Sequence, residues 1–457
     1  MDPRKKEELK GISVRVEKTP LNRITYTLVE SDSSGAAFPQ YQENMIPIVY
    51  QDNQWVKADP TNANQSWFDY SKQQWANVAT VKEEVRQDLI TAPLGTPVPM
   101  DNMVGMFVWI PRYRYQLWNV DGRTNPVGNP YLIDDTKVNI EFESIGVKKA
   151  AGTQNGQWLT HPAFTLGDQE VNGFWASKFE VSSQEGNGNT TDLDNVITKT
   201  PIFLPNRFAW RYQTLATLFH NSRRITELGN IHGLLPDQDG HVFKNKEWGA
   251  MSYLTISRYG KTGNKTYQGQ YQPVKSNINK QYITGCGSQN NTVTETCVTY
   301  DTKDGQAAST TGNITGVYDT AGGSFDFVMA IQYQADNQNL DITESGFTAE
   351  EIQSIKDRYI DAYLYSEDPV LMTSFQKMHL GDATIETGPF SDVVVSSNMV
   401  YYRNSAFQNA IIYQLCNTRP VATRGGRWDY LEVGSLFVME GTYGNPTEMK
   451  SAHFVII

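Results

Sequence analysis

Apolar and polar residues alternate with a period of two along much of this chain, and a helical period emerges in only three places. In KGISVRVEKTPLNRITYTLVE the alternation is regular, and SDSSGAAFPQ then breaks it. Residues 1–45 therefore read as an extended, anchoring segment that docks on a partner. IPIVYQDNQWVKAD and QSWFDYSKQQWANVATV set β-branched and aromatic residues around polar turns. Trp55, Trp67 and Trp75 fall at hairpin intervals. Residues 46–100 thus read as a small antiparallel β module with its tryptophans in the core. APLGTPVPMDN follows as a Pro- and Gly-rich linker.

Beyond it, VGMFVWIPRYRYQLW gives an apolar strand followed by alternation, and VNGFWASKFEVS gives another strand. NRFAWRYQTLATLFHNSRR predicts the first helix, with Phe208, Tyr212, Leu215 and Phe219 on one face and Pro205 just outside its start. NKEWGAMSYLTIS predicts the second, with Trp248, Met251 and Leu254 turned inward. TAEEIQSIKDRYIDAYLY predicts the third. Its Thr348 and Glu351 have capping-box spacing, and Ile352, Ile355, Tyr359 and Tyr363 make its apolar stripe. Long loop insertions are expected over 258–312 and 334–400. NAIIYQL, GSLFVME and SAHFVII close the chain as short strands around the turn TRGGRW. Early helices followed by a β-rich tail indicate the α+β class.

Composition narrows the function. Of 457 residues, 39% are hydrophobic and 12% aromatic, enough to build a core. The net charge is -11 and no basic tract occurs, so a nucleic-acid partner is not expected. No run of 18 apolar residues exists, and MDPRKKEELKG lacks the apolar stretch of a secretory signal. The expectation is no membrane insertion, in a protein of the cytoplasm or of a virion assembled there. Cys286 and Cys297 flank a polar stretch and either close a small loop or stay as two thiols. Cys416 lies in an apolar run and reads as a buried small hydrophobe.

FVWIPRYRY (107–115), GFWASKFEVS (173–182), KNKEWGAMSYL (244–254), TGNITGVYDTAGGSFDFVMA (311–330) and RPVATRGGRW (419–428), with the closing HFVII (453–457), occur in that order. Together they resemble the formylglycine-generating-enzyme family, an elaborated C-type lectin fold. The resemblance covers residues 104–457. It implies a C-type-lectin-like domain over 101–457, preceded by the small β module. Gly425 and Gly426 suit a turn with positive φ. Gly322 and Gly323 allow close backbone approach beside Phe325-Asp326-Phe327.

The same resemblance sets what an enzyme of this family needs. The formylglycine generator holds copper with a closely spaced cysteine pair after its Arg-Gly-Gly turn, a soft donor set for Cu(I). Here RGGRWDYLEVGSLF has no cysteine, and Cys416 lies before the turn. The related sulfoxide synthases hold iron with three histidines. His161, His220, His232, His241, His379 and His453 form no HxH or HxxxH pair and read as chance surface residues. GxSxG, P-loop and GxGxxG motifs are absent from the sequence. No catalytic residue and no cofactor are expected. A structural calcium on loop oxygens is the one metal the resemblance leaves open.

Similar domains occur in phage receptor-binding and fibre proteins, including targets of diversity-generating retroelements. The resemblance therefore implies a non-enzymatic virion surface protein: a head or tail fibre, receptor-binding or decoration protein. It would attach to a host-surface protein or glycan, hold other virion proteins through residues 1–100, and form a homo-oligomer. Two alternatives stay open: an oxidase-like enzyme of the family with a degenerate site, and a purely structural capsid or tail component. The expected ligand face lies between the Arg-Gly-Gly turn and the closing strand, at Arg427, Trp428, Tyr430, Tyr443 and Asn445. Trp428 reads equally well as core. Tyr430 and Tyr443 have polar neighbours and read as exposed.

Overall fold

Nine consecutive residues, Met103–Pro111, form a strand in which every side chain is buried. A strand buried on both faces needs apolar residues at every position, and MVGMFVWIP supplies them. The computed structural model describes residues 32–117, 138–153, 157–185, 199–261, 274–287, 293–333, 342–364, 380–383, 419–433 and 435–457. It also describes Leu415 and the strand residues 12–18, 24–30, 266–267, 270–271, 393–396, 399–402 and 412–413. His379 and Cys416 lie outside the described residues.

The long strand is central in a seven-stranded antiparallel sheet. The order is Gly240–Val242, Phe454–Ile456, Gly173–Ser177, Met103–Pro111, Asn77–Val81, Ile46–Gln51 and Gln54–Lys57. The expected separate module over 46–100 is thereby corrected. Its three strands extend the main sheet, and Trp67, Trp75, Trp109, Trp175 and Trp248 share one core. A second core on the opposite face gathers Ile46, Ile48, Trp55, Val81, Phe179, Tyr300 and Tyr318. The segment before Ile46 is likewise not free. Trp109 Nε1 donates to Ala37 O (3.1 Å) and Trp175 Nε1 to Gln40 O (2.6 Å), while Phe38 and Tyr41 meet Trp67 edge-on. Residues 32–45 thus cover their own core, because two buried indoles need acceptors there. Ile12–Lys18 and Ile24–Glu30 pair antiparallel, in line with their alternation.

A second sheet runs in the order Asp361–Leu364, Phe325–Tyr333, Val421–Arg424, Met439–Thr442, Ile412–Tyr413, Met399–Tyr402 and Val393–Ser396. Lys450–Ser451 also pairs with the start of Phe325–Tyr333. Separate sheets with interspersed helices make the chain α+β. The first predicted helix is shorter than expected, Leu215–Arg224. Thr214 caps it by accepting from Thr217 N (3.1 Å). Upstream, Trp210 N is taken by Val181 O (2.7 Å) and Tyr212 N by Thr447 O (3.0 Å), so those amides have no helical partner to make. The second helix, Asn245–Thr255, starts with Glu247 accepting from Lys244 N (2.8 Å). The third, Ala349–Tyr359, has only half of its capping box. Thr348 accepts from Glu351 N (3.1 Å), but the Glu351 carboxylate pairs with His220. Tyr363 falls in the following strand. A further helix, Glu83–Thr91, had no clear apolar period in the sequence. Among the described residues no helix is long and apolar enough to cross a membrane.

Candidate functional site

The strand Val421–Arg424 delivers the site. Arg424 is fully buried and donates to Val438 O (3.0 Å), Leu436 O (2.9 Å), Asp382 O (2.9 Å) and Asn245 Oδ1 (2.5 Å). With its donors spent on the fold, it is a post that fixes the strand end. Gly425 and Gly426 then take φ of +82° and +73°, a turn that L side chains rarely adopt. Trp428 N donates to Gly323 O (3.0 Å), which sets the chain after the turn against the 322–323 segment.

The predicted residues divide into two groups. Arg427 pairs with Asp429 (2.5 Å) and lies 6.0 Å from the Tyr430 ring. Trp428 is half-buried and meets Tyr282 edge-on at 6.4 Å. Tyr430 is half-buried rather than exposed. Its hydroxyl donates to Glu440 Oε2 (2.8 Å) and its ring meets Phe325 edge-on at 5.2 Å. Tyr443 is 37% exposed, as expected. Asn445 is occupied in the next loop, where its Oδ1 accepts from Lys450 Nζ (2.9 Å).

Four residues that sequence reasoning missed complete the Trp428 side. Tyr212 and Tyr282 both hold left-handed backbone, with φ of +60° and +58°. Bulky residues seldom sit there, and such strain collects at functional sites. The Arg211 guanidinium stacks on the Tyr282 ring at 4.0 Å and its Nη1 donates to Glu448 O (2.6 Å). Tyr212 donates through its hydroxyl to Glu448 Oε2 (3.3 Å). Arg211 is only 3% exposed, and burial lowers its pKa. Burial raises the pKa of Tyr282. The sequence signal was faint. Tyr212 matched a helical face, and Tyr282 sat in a polar loop without periodicity.

Behind this face lie three buried acids, Glu180, Asp319 and Asp326, with His453. Burial and their mutual repulsion raise Glu180 and Asp326 well above the usual carboxylate range. Burial also raises Asp319, opposed by His453 and by donors from Gly285 and Asn277. Burial brings His453 down to about 4. His453 Nε2 donates to Tyr318 O (3.0 Å), so Nδ1 is left to accept, 2.7 Å from Asp326 Oδ1. A protonated Asp326 and a neutral His453 satisfy both groups.

The five histidines among the described residues are not exposed, which corrects that expectation for them. His161, His232, His241 and His453 are all buried, and His220 is half-buried. For His241, burial alone would lower the pKa, but Glu247 and Asp239 hold it up at about 9. Among the described residues no group of three or more His, Cys, Asp or Glu is arranged to hold a metal ion. Cys286 and Cys297 are joined as a disulfide, which decides between the two readings of that pair. Compared with known proteins, the chain matches no family model and no curated protein sequence.

Proposed function

We propose that this protein is a non-enzymatic recognition protein of a virion surface, with a C-type-lectin-like domain of the formylglycine-generating-enzyme type that binds a host-surface protein or glycan. The observation that carries the reading is the Tyr212–Tyr282 pair. Two bulky residues held in left-handed backbone, the half-buried Tyr212 and the buried Tyr282, flank a buried Arg211, and Tyr282 backs the half-buried Trp428. Tyr, Trp and Arg dominate binding hot spots because they bury large area and still hydrogen-bond. The acid and base cluster behind this face, Glu180, Asp326 and His453, sits in the interior. On this reading the paired strands Ile12–Lys18 and Ile24–Glu30 attach the chain to other virion proteins, since the tryptophans of 46–100 are spent on the two cores.

The test is attachment of purified protein to host cells, with Trp428→Ala beside the wild type. Loss of about ten-fold or more in affinity, counted per folded molecule, is the expected result. Equal attachment by both proteins would move the face elsewhere. Stoichiometric copper or iron in the purified protein would overturn the non-enzymatic reading.

A further inference from the structure

We infer that Asp319 and Asn277 form a single junction that positions both walls of the Tyr282–Trp428 face. The functional consequence rests on the recognition reading above; the junction itself does not. Both residues are 1% exposed, so neither is placed to touch a ligand and each acts through others.

The first wall is the segment 277–285, with Tyr282 near its far end. Each carboxylate oxygen of Asp319 accepts from Gly285 N at 2.9 Å. Asp319 Oδ1 also accepts from Asn277 Nδ2 (2.9 Å), which donates further to Ile283 O (2.9 Å). The segment is thus gripped at both ends, and Tyr282 between them is held at φ +58°. Without the grip an extended or right-handed conformation would be preferred at that tyrosine. Asp319 itself sits at φ +58°, a conformation that acidic residues tolerate better than aromatic ones.

The second wall hangs from the backbone of the same Asn277. Its N donates to Ala321 O (2.7 Å), and its O accepts from Gly323 N (2.7 Å). This approach is too close for a side chain: a Cβ on Gly322 would stand 2.2 Å from Asn277 O. Gly323 O then accepts from Trp428 N, and Gly322 N donates to Gly425 O (3.2 Å). The Arg-Gly-Gly turn and its tryptophan are therefore registered against Asn277, which Asp319 holds in place. Two loops distant in sequence meet at one buried carboxylate.

The experiment is hydrogen–deuterium exchange on the full chain, wild type against Asp319→Ala, with no ligand present. Peptides covering 279–287 and 425–430 are both expected to exchange at least ten-fold faster. Peptides from the strands Met103–Pro111 and Gly173–Ser177 should stay as in the wild type. Acceleration in only one of the two walls, or in neither, overturns the junction. If Asp319→Ala exchanges quickly everywhere, Asp319→Asn, which keeps the shape, is judged by the same criterion. Failure of the wild type to attach to host cells, with this local pattern seen in the variant, would refute the recognition reading and leave the junction standing.

Discussion

Val78 pairs with Phe107 across two antiparallel strands, and the Pro- and Gly-rich stretch 92–99 between them is no free linker: it runs along Gln54–Lys57, where Lys57 N donates to Thr96 O (2.8 Å) and Val98 N to Trp55 O (2.9 Å). The contact is reinforced on both sides. Trp109 N donates to Ala76 O (3.0 Å), and the buried Lys178 Nζ donates to Asn77 Oδ1 (2.9 Å). A chain reduced to residues 104–457 would expose the edge and one face of its central strand, a template for aggregation. Such a truncation is expected to be insoluble or non-cooperative, whereas the full chain should melt in one transition. A soluble 104–457 fragment with a sharp melt and native near-ultraviolet dichroism would show that the shared sheet is dispensable.

Local patterns were legible where periodicity is intrinsic to the backbone. The run MVGMFVWIP, the helix at Asn245–Thr255 and the positive-φ glycines of the Arg-Gly-Gly turn could each be read from residue type alone. What was not legible depends on partners far away in the chain. Pairing of Asn77–Val81 with Met103–Pro111 leaves no trace that distinguishes it from a self-contained hairpin module. Tyr212 has a helical neighbour pattern, yet Thr447 O captures its amide and turns it left-handed. The buried His232 and His453 carry no local mark either, since they are satisfied by groups distant in sequence: Thr80 and Pro201 for the first, Asp326 for the second.

Tyr430 separates support from recognition. Its hydroxyl bond to Glu440 and its edge contact with Phe325 are both internal. Tyr430→Phe should lower stability by about 1 kcal/mol, the worth of one hydrogen bond. Tyr430→Ala should lower it by about 2 kcal/mol or more, because the ring contact goes too. Tyr443→Ala, at an exposed position, should stay within about 0.5 kcal/mol of the wild type. Denaturant titrations of the three variants check this order. A destabilised Tyr443→Ala beside a neutral Tyr430→Ala would reverse the assignment.

The Cys286–Cys297 bond closes a loop of sequence separation 11 next to Gly285, one of the donors to Asp319. Closing a loop of this size stabilises by roughly 3 kcal/mol, chiefly by restricting the unfolded chain. Cys297→Ser is expected to lower the denaturation midpoint, and dithiothreitol should then have no further effect on the variant. The wild type should lose a similar amount on reduction. Identical midpoints for oxidised and reduced wild type would show that the bond adds nothing to stability.

His232 offers the cleanest pH signature. Its Nε2 lies 2.9 Å from Pro201 O, where it donates, and its Nδ1 lies 2.9 Å from Thr80 Oγ1, where it accepts. Burial first, and the nearby Arg86 second, bring its pKa down to about 4. The unfolded chain binds a proton near pH 6.5 and the folded chain only near 4, so between these values the unfolded state holds more protons. Stability therefore falls as the pH drops through that window, by roughly 3 kcal/mol from this group at most. Glu180 and Asp326 act in the opposite sense, because their raised pKa makes the fold take up protons first. The wild-type curve mixes the two, so the comparison must be differential. His232→Gln keeps an amide donor and an acceptor but does not titrate. Unfolding free energies at pH 7, 5.5 and 4.5 should show a shallower acid loss in the variant than in the wild type. Parallel curves for the two proteins would mean that His232 is already protonated in the fold, and the neutral tautomer assigned from its two partners would be wrong.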